Sequence, residues 1–135
     1  IMDDFVPMLH DGATTVWESF PTSVLSYEDF PTRSHCHAWS SAPLYFLNRI
    51  VLGIRPVAPG GAAYDISPFL DGIEWASGAC ASVRGPVHVR WEKRGDSLLI
   101  AAGAADDVAL SYVPNRTHEG LDVAFERLPV SHFQR

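Results

Sequence analysis

The chain has 135 residues, 47% of them hydrophobic, and a formal net charge of −6 at pH 7. That hydrophobic content excludes disorder as the default and allows one ordinary domain, or a helical segment followed by one small β domain. The acidic balance carries no basic stripe, which excludes a nucleic-acid partner and is compatible with a neutral sugar. No apolar run approaches the roughly 20 residues of a membrane span, so no membrane partner is expected.

Met2, Phe5, Met8 and Leu9 read as one helical stripe. The pattern is already under way at Ile1, so a preceding segment of a longer chain is expected. After two loop-borne motifs, a helix is expected over roughly 38 to 52. Ser40 or Ser41 can cap it, Pro43 sits in the first turn, and Gly53 stops it. It is apolar nearly all round and so needs packing on more than one side. A chain of 135 residues barely supplies that many partners. In a piece of a larger protein, these residues would expose apolar surface.

Arg55-Pro56-Val57-Ala58-Pro59-Gly60-Gly61 is a run of breakers and marks a boundary. Beyond it the pattern changes to short strands. Pro86-Val87-His88-Val89-Arg90-Trp91-Glu92 alternates, with the valines and the tryptophan on one face. Arg94-Gly95-Asp96 reads as a hairpin turn into Ser97–Ile100. Residues 79–83, 108–113 and 123–126 supply further strands. Turn signals recur about every 8–12 residues, the spacing of an antiparallel sandwich. The expected fold is α+β, helical over residues 1–56 and an antiparallel β-sandwich over 57–135.

Cys36 and Cys80 are the two cysteines, too few for a disulfide scaffold. They are expected as free, mostly buried thiols, which slightly favours a reducing, cytoplasmic compartment.

Two stretches can carry chemistry. Gly12-Ala13-Thr14-Thr15-Val16-Trp17-Glu18 places a carboxylate beside a tryptophan at a glycine turn. The ring offers a stacking face, and the hydroxyls can fix the loop by bonding its backbone. Taken alone, the pair reads equally as packing plus a solvated acid. Ser34-His35-Cys36-His37-Ala38-Trp39 holds three metal-capable side chains in a row. No second cluster at zinc-like spacing accompanies them, so no metal and no cofactor is expected. Hydrogen bonding, to structure or to substrate hydroxyls, is the other role open to the two histidines. His10 and His118 stand as remote singles, Asp65, Asp71 and Glu74 as surface acids or turn residues, and Asn115-Arg116-Thr117 fits a glycosylation sequon.

In order and spacing these stretches resemble the C-terminal third of bacterial α-L-rhamnosidases. The resemblance extends through Val51-Leu52-Gly53-Ile54-Arg55-Pro56, Ile66-Ser67-Pro68 and Glu74-Trp75-Ala76-Ser77-Gly78. It implies that residues 1–56 close an (α/α)6 catalytic barrel, that the sandwich is the C-terminal domain, and that the full protein removes terminal α-L-rhamnose with inversion. The glutamate of the Gly-x-Thr-Thr-x-Trp-Glu pattern, here Glu18, is implied as the general base. His37 is implied as a sugar contact, with Cys36 where the family has Asn, and Trp17 and Trp39 as wall residues. The general acid is implied in the missing N-terminal part of the parent chain, so the isolated chain is expected to be inactive. The alternative is a non-catalytic carbohydrate-binding or structural β-sandwich module, binding glycan through exposed aromatics such as Trp75 or Trp91.

Overall fold

A computed structural model describes residues 2–18 and 34–133. They fall into two compact units, Ile1–Tyr45 and Phe46–Arg135.

The first unit opens with α1, Met2–His10. Gly12, at φ 79, ends it. The N–H of Gly12 donates to the Leu9 carbonyl and that of Ala13 to the Met8 carbonyl, at 3.1 and 2.9 Å. That is the paired closure of a helix by a left-handed glycine, and it turns the chain sharply into the Thr14–Glu18 loop. Met8 is buried at 3% exposure, whereas Leu9 of the expected stripe is 69% exposed.

The helix expected over 38–52 is present in three pitches: a 3-10 turn Ala38–Ser41, α2 at Ala42–Phe46, and a π turn Leu47–Val51. Neither serine caps it. His37 occupies the N-cap position, and the Ser41 hydroxyl donates back to the Ala38 carbonyl at 2.5 Å. The 3-10 start draws the first turn inward, so the serine lies inside the helix rather than ahead of it. None of residues 38–51 is buried. Trp39, Leu44, Tyr45, Phe46, Leu47 and Ile50 are all exposed.

In the second unit, Gly53 at φ 71 breaks the π turn and starts β1, Ile54–Pro56. β1 pairs antiparallel with β2, Ala63–Ile66, and the breaker run makes the connection between them. The boundary expected at 56/57 falls at this connection, with strands on both sides. β3 (Trp75–Cys80), β4 (Val87–Arg94) and β5 (Ser97–Gly103) form antiparallel neighbours. β6, Ala109–Tyr112, completes the three-stranded sheet β1-β2-β6, and β7, Asp122–Arg127, the four-stranded sheet β3-β4-β5-β7.

The sandwich is mostly antiparallel, as expected, but β2–β6 and β5–β7 pair in parallel. The reason is connectivity. β6 and β7 each arrive from the opposite sheet, so each meets its neighbour from the same end.

The core lies between the sheets. Val87, Val89 and Trp91 from β4 and Leu98, Ile100 and Ala102 from β5 meet Ile54, Tyr64 and Ile66. Burying each such Val, Leu or Ile contributes roughly 1.5–3 kcal/mol. The Trp91 indole N–H donates to the Val51 carbonyl at 2.8 Å, which satisfies the one polar atom of a ring that is 1% exposed.

A second clamp joins the loop after β2 to the loop after β6. The Asn115 amide donates to Ser67 Oγ and to the Pro68 carbonyl, at 3.0 and 2.8 Å. Its Oδ1 accepts from the Thr117 N–H. His118 Nε2 donates to the Pro68 carbonyl at 2.7 Å, so Nδ1 is left to accept from the Tyr112 hydroxyl at 2.8 Å. Burial holds the His118 pKa below its ordinary value of 6.5, against an upward pull from the Pro68 carbonyl. The histidine expected as a remote single is thus a buried hub. The sequon asparagine already uses its amide inside the fold.

Candidate functional site

In the first unit, two loops lie side by side. The Glu18 N–H donates to the Ser34 carbonyl at 2.9 Å, and the His37 N–H to the Val16 carbonyl at 2.8 Å. The Thr15 hydroxyl donates to the His35 carbonyl. Only the last of these bonds comes from a hydroxyl of the motif, and it reaches the backbone of the other loop rather than its own. All three bring the two sequence motifs together.

Trp17 is buried at 6% exposure, and its ring lies 4.9 Å from that of His35. Glu18 and His37 are half-buried. Trp39 is 84% exposed and meets the His37 ring edge-on at 5.9 Å. A half-buried carboxylate on a loop fixed by main-chain bonds can take a proton from water without being displaced itself. Beside these loops an apolar recess of about 270 Å³ lies between Phe5, Met8 and Leu9 of α1 and residues 13–16.

From the sequence, His35 offers only a possible ligand or hydrogen-bonding group. Its packing on Trp17 has no signature in the sequence, because two rings 18 positions apart meet only once the loops pair. Among the described residues, no three His, Cys, Asp or Glu side chains stand close enough to share a metal ion. Both cysteines are free, as expected, but Cys36 is exposed and Cys80 half-buried. Cys36 lies on a loop, and Cys80, on the edge strand β3, packs in part against the core. Among the described residues, no helix is long and apolar enough to cross a membrane.

In the second unit Trp91, one of the two aromatics named for glycan binding, faces the core and reaches no ligand. Alternation in β4 puts it on the same side as Val87 and Val89. Trp75 is 66% exposed.

The chain superposes on the GH78 family rhamnosidase of Bacillus sp. GL1 with a TM-score of 0.77 and 32% identity, over 96% of this chain and 14% of that one. Residues 53–102 match the family model of the bacterial alpha-L-rhamnosidase C-terminal domain. The chain belongs to the C-terminal region of the bacterial alpha-L-rhamnosidases. The alpha-L-rhamnosidase from Dictyoglumus thermophilum is similar at 23% identity, over 66% of this chain and 10% of that one, with a TM-score of 0.49. No curated protein matches.

This rhamnosidase region therefore spans 14% of the length of the Bacillus protein. The stretch that the family model matches runs from the helix-stopping Gly53 through β1 to Ala102 of β5. It covers the core strands and leaves Glu18 and His37 outside.

Proposed function

We propose that this chain is the C-terminal portion of an inverting glycoside hydrolase that removes terminal α-L-rhamnose from glycosides or polysaccharides. Residues 1–56 close its helical (α/α)6 barrel, and 57–135 form its C-terminal β-sandwich. Glu18 is the general base that activates water, His37 contacts the sugar, and Trp17 and Trp39 form walls. The two free thiols fit a reducing, cytoplasmic setting for the protein.

The observation that carries this reading is the similarity to a GH78 rhamnosidase, which extends over 96% of the chain and so takes in the paired loops. Inversion needs a second carboxylic acid roughly 6.5–9.5 Å from the base, so that a water fits between base and sugar. That acid belongs to the longer hydrolase. The 135-residue chain alone, holding one half of the pair, is therefore inactive.

The test is hydrolysis of p-nitrophenyl α-L-rhamnoside by the longer protein that carries this region, wild type against Glu18→Gln. Loss of general-base catalysis lowers kcat by about 10²–10⁴-fold while the fold is kept. Unchanged activity removes Glu18 from the mechanism. Release of the sugar with retained anomeric configuration, read by NMR, refutes inversion.

A further inference from the structure

The four-stranded sheet turns one face to the core and the other outward. Because side chains alternate along each strand, the register gives the outer face row by row. Trp75, Glu92, Leu99 and Ala124 lie in one row across β3, β4, β5 and β7, and Ser77, Arg90, Ala101 and Glu126 in the next. The row after that is closed: Phe133 packs over Gly103 and stacks on the His88 ring at 5.2 Å.

The two open rows form a recess of about 320 Å³, at the lower end of the ~300–1,000 Å³ typical of small-molecule sites. Its floor is low because Ala101 and Ala124 are small. Arg90, Glu92, Leu99 and Glu126 rise around them. Glu92 is held by Arg94 through two bonds of 2.8 and 2.9 Å. The side chains of Arg90 and Glu126 form no hydrogen bond or ion pair with any described residue, although the Arg90 charge helps to hold the Glu92 pKa down. Their donors and acceptors face the same small space.

We propose that this recess is a carbohydrate-binding subsite for a single terminal sugar ring, remote in function from Glu18. Charge selects the ligand class. Arg90 and Arg94 together match Glu92 and Glu126 in charge, and both arginines act on Glu92, so the recess favours neither an anion nor a cation but suits a neutral polyhydroxy compound. Arg90 donates to neighbouring hydroxyls, and Glu126 accepts from one. The alanine and leucine side chains meet the C–H face of the ring. Trp75 and Leu99, exposed at 66% and 48%, extend the apolar surface along the first row. The choice of a rhamnose-type sugar rests on the function proposed above.

The probe is methyl α-L-rhamnopyranoside, titrated into the 135-residue chain by NMR, with the Trp75 indole N–H and the Leu99, Ala101 and Ala124 methyls as reporters. Saturable millimolar shifts at these groups are expected. Arg90→Met, at an exposed position that leaves the spectrum dispersed, weakens binding by about tenfold, the loss for hydrogen bonds to a charged donor. Glu18→Gln leaves binding unchanged. Absence of saturable shifts overturns the proposal, as do shifts that survive Arg90→Met. Shifts that follow protein concentration rather than sugar also overturn it and place a second copy of the chain on this face. Saturable binding here, with no rhamnoside hydrolysis by the longer protein, removes the hydrolase reading and leaves the subsite standing.

Discussion

Gly53→Ala tests whether one residue joins the helical turn to the sandwich for the reasons the geometry implies. Gly53 has φ 71, a region that costs an L-residue roughly 1 kcal/mol. An added Cβ would also fall on the main chain of Ser67 and Pro68, with no flexible side chain to yield. The two segments are tied there by the Ser67 N–H donating to the Gly53 carbonyl at 2.9 Å. Overpacking of that kind costs about 1–3 kcal/mol. Both neighbours, Leu52 and Ile54, are core residues, so relief of the clash moves the core. The expected loss is about 3 kcal/mol.

Gly95→Ala is the control. Gly95 has φ 58 and open space where a Cβ would sit, so only the backbone cost of about 1 kcal/mol applies. For a unit of this size, 1 kcal/mol shifts Tm by about 4–8 °C. Thermal unfolding followed by circular dichroism and calorimetry should show a drop about three times larger for Gly53→Ala than for Gly95→Ala. Equal drops would refute the argument that close main-chain contact, and not φ alone, demands glycine at 53.

Trp91→Phe keeps most of the ring volume but leaves the Val51 carbonyl without its donor. Val51 is only half-buried, so the unsatisfied acceptor costs about 1 kcal/mol, the low end of the range for a buried one, read as a lower urea midpoint with unchanged slope. Acidification acts through His118. Its folded pKa is below the ordinary 6.5, so above that pH neither state is protonated and the group adds nothing. As pH falls below about 6.5, the unfolded chain takes up a proton that the buried ring does not, and stability declines until the folded pKa is passed. Urea midpoints should fall between pH 7 and pH 5, and His118→Gln should flatten that fall. An equal decline in the variant would show that other groups cause it.

The strands of the second unit were legible where alternation was clean. The pattern of Val87, Val89 and Trp91 against His88, Arg90 and Glu92 matches their burial, and the turn at Arg94-Gly95-Asp96 is where β4 meets β5. Gly53 was legible as a helix stop, but not as the point of closest approach to Ser67. The loops of the candidate site were legible as motifs and not as neighbours. Two extended segments 20 positions apart carry no periodic signal of their pairing, and the Thr15 to His35 contact spans that gap.

Taken by itself, the sequence determined the class of fold, strands β4 to β7, the family and a candidate carboxylate. These depend on local spacing, residue type and resemblance, all of which are linear. Only the tertiary structure decided the parallel pairing of β6 and β7, the burial of His118 and the exposure of Cys36. It also decided which outer-face side chains of the four-stranded sheet are left without partners. Each of these is set by which distant segments arrive at the same place. A side chain's burial and hydrogen bonding belong to that place and not to its position along the chain.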